Sequence, residues 1–121
     1  MSNVSPAQGP IAAVFDLSLP ASHEALRKVV GVENVGQFVE PGKPFVVLVY
    51  DRSDGEYSRL AFAGETQLRD FYLATLRTNA KLAPGRRVQF VLRDLAPHFE
   101  AALRQATSEL ALELAGPRGT A

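Results

Sequence analysis

His23 and His98 are the only histidines in the chain, so any general base or imidazole metal site would have to be built on them. Zinc binding on a helix face asks for a second imidazole four residues away, and neither histidine has one. Each reads as a solvated residue near the start of a helix. Asp51, Asp54 and Glu56 gather acidic groups around Gly55, but their spacing is not that of a calcium loop. A hairpin turn accounts for Asp54-Gly55 without an ion. Cysteine is absent, which removes disulfides, thiolate nucleophiles and thiolate-held metals. The sequence therefore assigns no catalytic, cofactor-binding or metal-binding residue, and the expectation is a non-catalytic protein without a cofactor.

Phosphate-binding loops need a strand, a glycine-rich turn and a helix N-terminus, because backbone amides and the helix dipole cradle the anion. Ala63-Gly64-Glu65 joins a strand to a helix with one glycine and an acidic residue where the anion would sit. It reads as an ordinary turn. Thirteen basic side chains balance thirteen acidic ones, so no global field draws the chain to nucleic acid or anionic lipid. The apolar fraction of 46% and charged fraction of 21% are those of a folded globular protein, and 121 residues suit one core. No stretch approaches the ~20 apolar residues that span a bilayer, and the start lacks a basic segment followed by an apolar run. A cytoplasmic location in a bacterial-type cell, away from membranes, is the expectation.

The elements that position these residues follow from apolar spacing. Residues 1–10 and 116–121 lack periodicity and read as flexible tails. Ile11 to Leu19 is a strand with apolar atoms on both faces, stopped by Pro20; Ser22 then caps a helix whose stripe is Leu26, Val29 and Val30 and whose end is Gly31. Val32 to Pro44 reads as a loop with a possible short strand, closing on a Pro41-Gly42 type II turn. Phe45 to Asp51 and Tyr57 to Ala63 form a hairpin across Asp54-Gly55. Leu68, Phe71, Tyr72, Thr75 and Leu76 share one face of a helix from Glu65 to about Lys81, and Val88, Phe90 and Leu92 alternate in a strand from Arg86 to Arg93. A last helix, residues 95–115, carries the stripe Phe99, Leu103, Ala106, Leu110 and Leu114.

This βαββαβ order over residues 11–94 resembles a ferredoxin-like α+β sandwich with a four-stranded antiparallel sheet and two helices on one face. Acylphosphatases share that order and hold phosphate after the first strand with an arginine, whereas Leu19-Pro20-Ala21-Ser22 has none. Phe15 to Leu19 with Pro20, Leu26-Arg27, the Asp54-Gly55 hairpin, Tyr57 to Phe62 and Leu82 to Val88 are similar to an RNA-recognition motif over about residues 13 to 93. In that family a first-strand hexamer and a third-strand octamer lie on two central strands and stack bases on aromatic side chains. The resemblance implies that Phe15 and Tyr57 would be stacking aromatics, with Arg59 at the second octamer aromatic position. Glu56 stands where the octamer has glycine, and Asp16 falls at a position expected to face the core. A register one residue over would make Phe15 a core residue and leave Tyr57 alone as a platform. Arg87 and Arg93 could share the open face with Tyr57 and Arg59 as a possible nucleic-acid surface.

The C-terminal helix competes for that face. Either it covers the sheet, or Phe99, Leu103, Leu110 and Leu114 become a docking stripe for another protein or a second copy of this chain. The reading that follows is a non-catalytic protein-interaction or homodimerising module, with single-stranded RNA binding as the alternative.

Overall fold

The structure is a computed structural model that describes residues 9–51 and 55–115, and of residues 93 and 94 the backbone alone. The expected tails at residues 1–8 and 116–121, Asp54 of the hairpin turn and the side chain of Arg93 lie outside the described residues. The chain runs β1 (Ile11–Asp16), α1 (Pro20–Val30), β2 (Phe45–Asp51), β3 (Glu56–Phe62), α2 (Glu65–Asn79), β4 (Gln89–Asp94) and α3 (Pro97–Ala115). It is an α+β protein whose described residues form one four-stranded mixed sheet and three α-helices.

The strands lie in the order β3-β2-β1-β4. This corrects the antiparallel ferredoxin-like expectation, which put the first and third strands in the middle. Here β1 and β2 are adjacent and antiparallel, β3 is an edge strand, and β4 runs parallel to β1 at the other edge. The cause is the return after α1, which brings β2 directly beside β1 and leaves no slot for β3 between them. The hairpin can then add β3 only outside β2. α2, about 22 Å long at ~1.5 Å per residue, carries the chain across the three strand spacings, roughly 14 Å, that separate the two edges.

Burial follows the same order. Phe45, Val46, Val47 and Leu48 of β2 are all buried, as are Ala12, Val14 and Phe15 of β1, while Glu56 to Leu60 of β3 are exposed. Among the described residues α1 is the one α-helix on one face, with Leu26 against Phe15, Val46 and Leu48. α2 and α3 share the other face, where Leu68, Tyr72, Phe99 and Leu103 meet Ala12, Val14, Phe45 and Val47. The expected pairing of α1 and α2 on one face is thus corrected too: the added helix joins α2. Those two helices run parallel, since His98 meets Glu65 at 2.7 Å near their starts and Arg77 meets Glu113 at 3.6 Å near their ends. Between these contacts the Tyr72 and Thr107 hydroxyls hydrogen-bond at 2.7 Å, and Phe45 meets Phe99 edge-on at 5.5 Å.

Local details refine the expected boundaries. Leu19, not Ser22, stands at the N-cap of α1; the buried Ser22 hydroxyl instead accepts the Asp16 N–H at 2.8 Å. Within Val32 to Pro44 a short 3₁₀ turn, Val35–Phe38, replaces the possible strand and packs Val35 and Phe38 against the α1 core. Gly42 sits at φ +78° with Lys43 N–H donating to the Glu40 carbonyl at 3.0 Å, as a type II turn requires. Gly55 at φ +70° closes the β2–β3 hairpin, its N–H donating to the Asp51 carbonyl at 2.9 Å. The chain is already fixed at Gly9, which is buried with the position of a Cβ only 2.0 Å from the Arg87 carbonyl oxygen.

Candidate interaction surface

The stripe expected to dock a partner is mostly interior. Phe99, Leu103 and Leu110 are 2%, 0% and 5% exposed inside the protein, and only Leu114 remains half exposed. They close the chain's own core, so three of the four are committed to the fold.

The possible nucleic-acid residues do not converge either. Phe15 is buried beneath α1, beside Leu26, which is the outcome of the register shifted by one. Asp16 is also buried, and its carboxylate accepts the Ser18 N–H at 3.0 Å and the Ser18 hydroxyl, a local turn that satisfies it. Tyr57 and Arg59 share the α1 face of β3, opposite Tyr50 and Leu48. Arg87 precedes β4 and its Nε donates to the Leu82 carbonyl at 2.8 Å. Residue 93 belongs to β4, at the edge opposite β3, with the sheet's roughly 14 Å between them.

A different surface emerges on the α1 face. A single helix, about 10 Å wide, cannot cover four strands spaced ~4.8 Å apart, and grooves remain along both its flanks. Toward β3, Ile11, Ala13, Val29, Leu48, Tyr50 and Tyr57 enclose about 210 Å³. Toward β4, a groove of about 550 Å³ is lined by Ile11, Ala13, Phe15, Ala25, Lys28, Val29 and Val91. Ala13 and Ala25, small where helix and sheet meet, leave this room. Val29 is 46% and Tyr57 48% exposed, although the spacing of α1 places Val29 on its inner stripe. The helix is too narrow to press Val29 onto the sheet once Leu26 has seated. Tyr57 leans on Tyr50 with ring centroids 5.0 Å apart.

Charges border this shelf. Glu40 bridges Arg59 and Lys43, each at 3.0 Å. The hydrogen bond from Arg59, then that from Lys43, holds the Glu40 carboxyl below its ordinary range. Lys28, in the β4-side groove, has no carboxylate partner among the described residues. On the opposite face, beyond the same strand β4, Tyr72, Phe90 and Leu92 floor a second groove of about 690 Å³. Its α3 wall carries Thr107, Ser108 and the Arg104–Glu100 pair at 2.6 Å. Strand β4 therefore stands between two open grooves.

Among the described residues no three His, Asp or Glu side chains group closely enough to hold a metal ion. No helix among them is long and apolar enough to cross a membrane. Comparison with protein-family models, curated proteins and solved structures finds no match to this chain.

Proposed function

We propose that this protein is a non-catalytic protein-interaction or homodimerising module, and that it binds through the apolar shelf running from β4 past α1 to Tyr57. The observation that carries this reading is that the described residues cover the α1 face incompletely. Val29 and Tyr57 stand half exposed beside grooves lined by Ile11, Ala13 and Val91, a continuous apolar surface of the kind that marks contact sites. Aromatic and aliphatic anchors bordered by charged groups such as Lys28 and Arg59 match the anatomy of a protein interface.

Val29→Asp tests it, because a carboxylate at this half-exposed position disturbs the shelf and spares the core. The variant is expected to abolish self-association or capture of a purified partner with its melting temperature unchanged. Undiminished association by Val29→Asp would remove the shelf from the interface.

The second reading is single-stranded RNA binding, favoured by the exposed Tyr57 ring with Arg59 two residues along the same strand face. It requires binding of mixed oligonucleotides that weakens steeply with salt, and a loss of ~1–3 kcal/mol in Tyr57→Ala. Absence of binding at low salt would end it.

A further inference from the structure

We infer that β4 is the docking edge for a second copy of this chain, through antiparallel β4-to-β4 pairing about a two-fold axis at Val91. The inference rests on the interaction reading and specifies its partner and geometry. Among the described residues β4 has a strand neighbour, β1, on one side only. The Gln89 N–H points to that side, donating to the Pro10 carbonyl at 2.9 Å. Backbone groups alternate along a regular strand, so those of Val91 also face β1 while those of Phe90 face outward, where no strand among the described residues receives them; Leu92 opens the irregular stretch between Val91 and Asp94.

An axis at Val91 sets Phe90 opposite Leu92 of the partner subunit, twice by symmetry. Phe90 brings outward N–H and C=O groups to each pair, and in the dimer each pair exchanges two hydrogen bonds. Val91 then faces Val91 of the partner subunit as a non-hydrogen-bonded pair, with Cα atoms ~4.5 Å apart. Every apolar position meets an apolar one, and Gln89 falls at the position opposite Arg93 of the partner subunit. Moving the axis to Leu92 would set Phe90 against Asp94 of the partner subunit.

The other edge lacks this self-complementarity. An axis at Arg59 of β3 brings two guanidinium groups together, and an axis at Ser58 sets Glu56 against Leu60 of the partner subunit. β3 carries charge along its edge, as strands that stay unpaired do, whereas Phe90-Val91-Leu92 is an uncharged apolar run. The two grooves add a second argument. Phe90 and Leu92 line the groove under α3 and Val91 the one beside α1, so a strand laid along β4 covers open apolar surface on both sheet faces. On β4 the register irregularity lies between Val91 and Asp94, opposite Ala13 to Phe15, so the regular pairing with β1 ends at Val91 and the pairing between copies is short.

The absence of cysteine makes the test direct. Val91→Cys introduces a single thiol, and a ~4.5 Å Cα separation lies within the range a disulfide spans. Under a mild oxidant the variant is expected to give a covalent dimer at least tenfold faster than Ser58→Cys on the β3 edge. In the unmodified chain, sedimentation should show a concentration-dependent dimer, and exchange of the Phe90 and Leu92 amides should slow as it forms. Val91→Lys, its fold checked by circular dichroism, should weaken the dimer at least tenfold. A dimer in which Val91→Cys cross-links no faster than Ser58→Cys overturns the β4 axis and leaves the interaction reading standing. A monomer at every concentration that still binds another protein through Val29 does the same, and a monomer without any partner overturns both.

Discussion

Asn79 does for the start of β4 what a neighbouring strand would otherwise do. Its side-chain amide donates to the Val88 carbonyl and its oxygen accepts the Val88 N–H, both at 2.9 Å. Asn79→Ala leaves both backbone groups unpaired in a half-buried place, and urea unfolding is expected to show a loss of about 1–3 kcal/mol. Glu40 illustrates the opposite case, an exposed group held by two cations. Its folded pKa is depressed, so its contribution is present above the unfolded carboxylate's pKa and is lost as pH falls through the folded value. NMR titration should place the Glu40 midpoint below the usual carboxylate range and move it upward in Arg59→Gln; an unmoved midpoint would remove Arg59 as the cause. The sequence marks Asp16 as a carboxylate that burial would penalise. It does not show that Ser18, two residues on, satisfies it, because a turn's hydrogen bonds depend on backbone angles.

At the scale of elements, helix periodicity is informative about faces and silent about which surface a face meets. The α3 stripe was legible as apolar, and the structure places it against β1, β2 and α2. Leu103→Ala is therefore expected to cost about 2–5 kcal/mol in thermal or urea unfolding, while Leu114→Ala at the exposed end stays within about 0.5 kcal/mol. Equal effects at the two positions would mean that the helix does not close the core in this way. Val29 shows the limit of the same signal: spacing puts it on the inner stripe, yet the width of one helix against four strands leaves it half in water. The Asn79-to-Val88 clamp and the 3₁₀ turn at Val35–Phe38 had no periodic signal to find.

For the whole molecule, the strand order decides which surface is free. With β1 and β2 central, Tyr57 and residue 93 belong to opposite edges, roughly 14 Å apart across the sheet. A composition signal for this order was present. The unbroken apolar run Phe45 to Val49 suits a strand buried on both faces, while Glu56, Ser58 and Arg59 suit an edge. The similarity to a βαββαβ family pointed the other way, since element order alone is compatible with more than one way of threading strands.

What the sequence determined by itself is the set of elements, the two-sided apolar character of the central strands, and the amphipathic last helix. All of these rest on short-range spacing, which fixes each residue's direction relative to its own backbone. Only the tertiary structure decided the neighbours: β2 returning beside β1, β4 parallel at the far edge, and α3 beside α2. Those choices depend on contacts between residues far apart in the chain, where many pairings satisfy the same alternation and only the simultaneous packing of both sheet faces separates them.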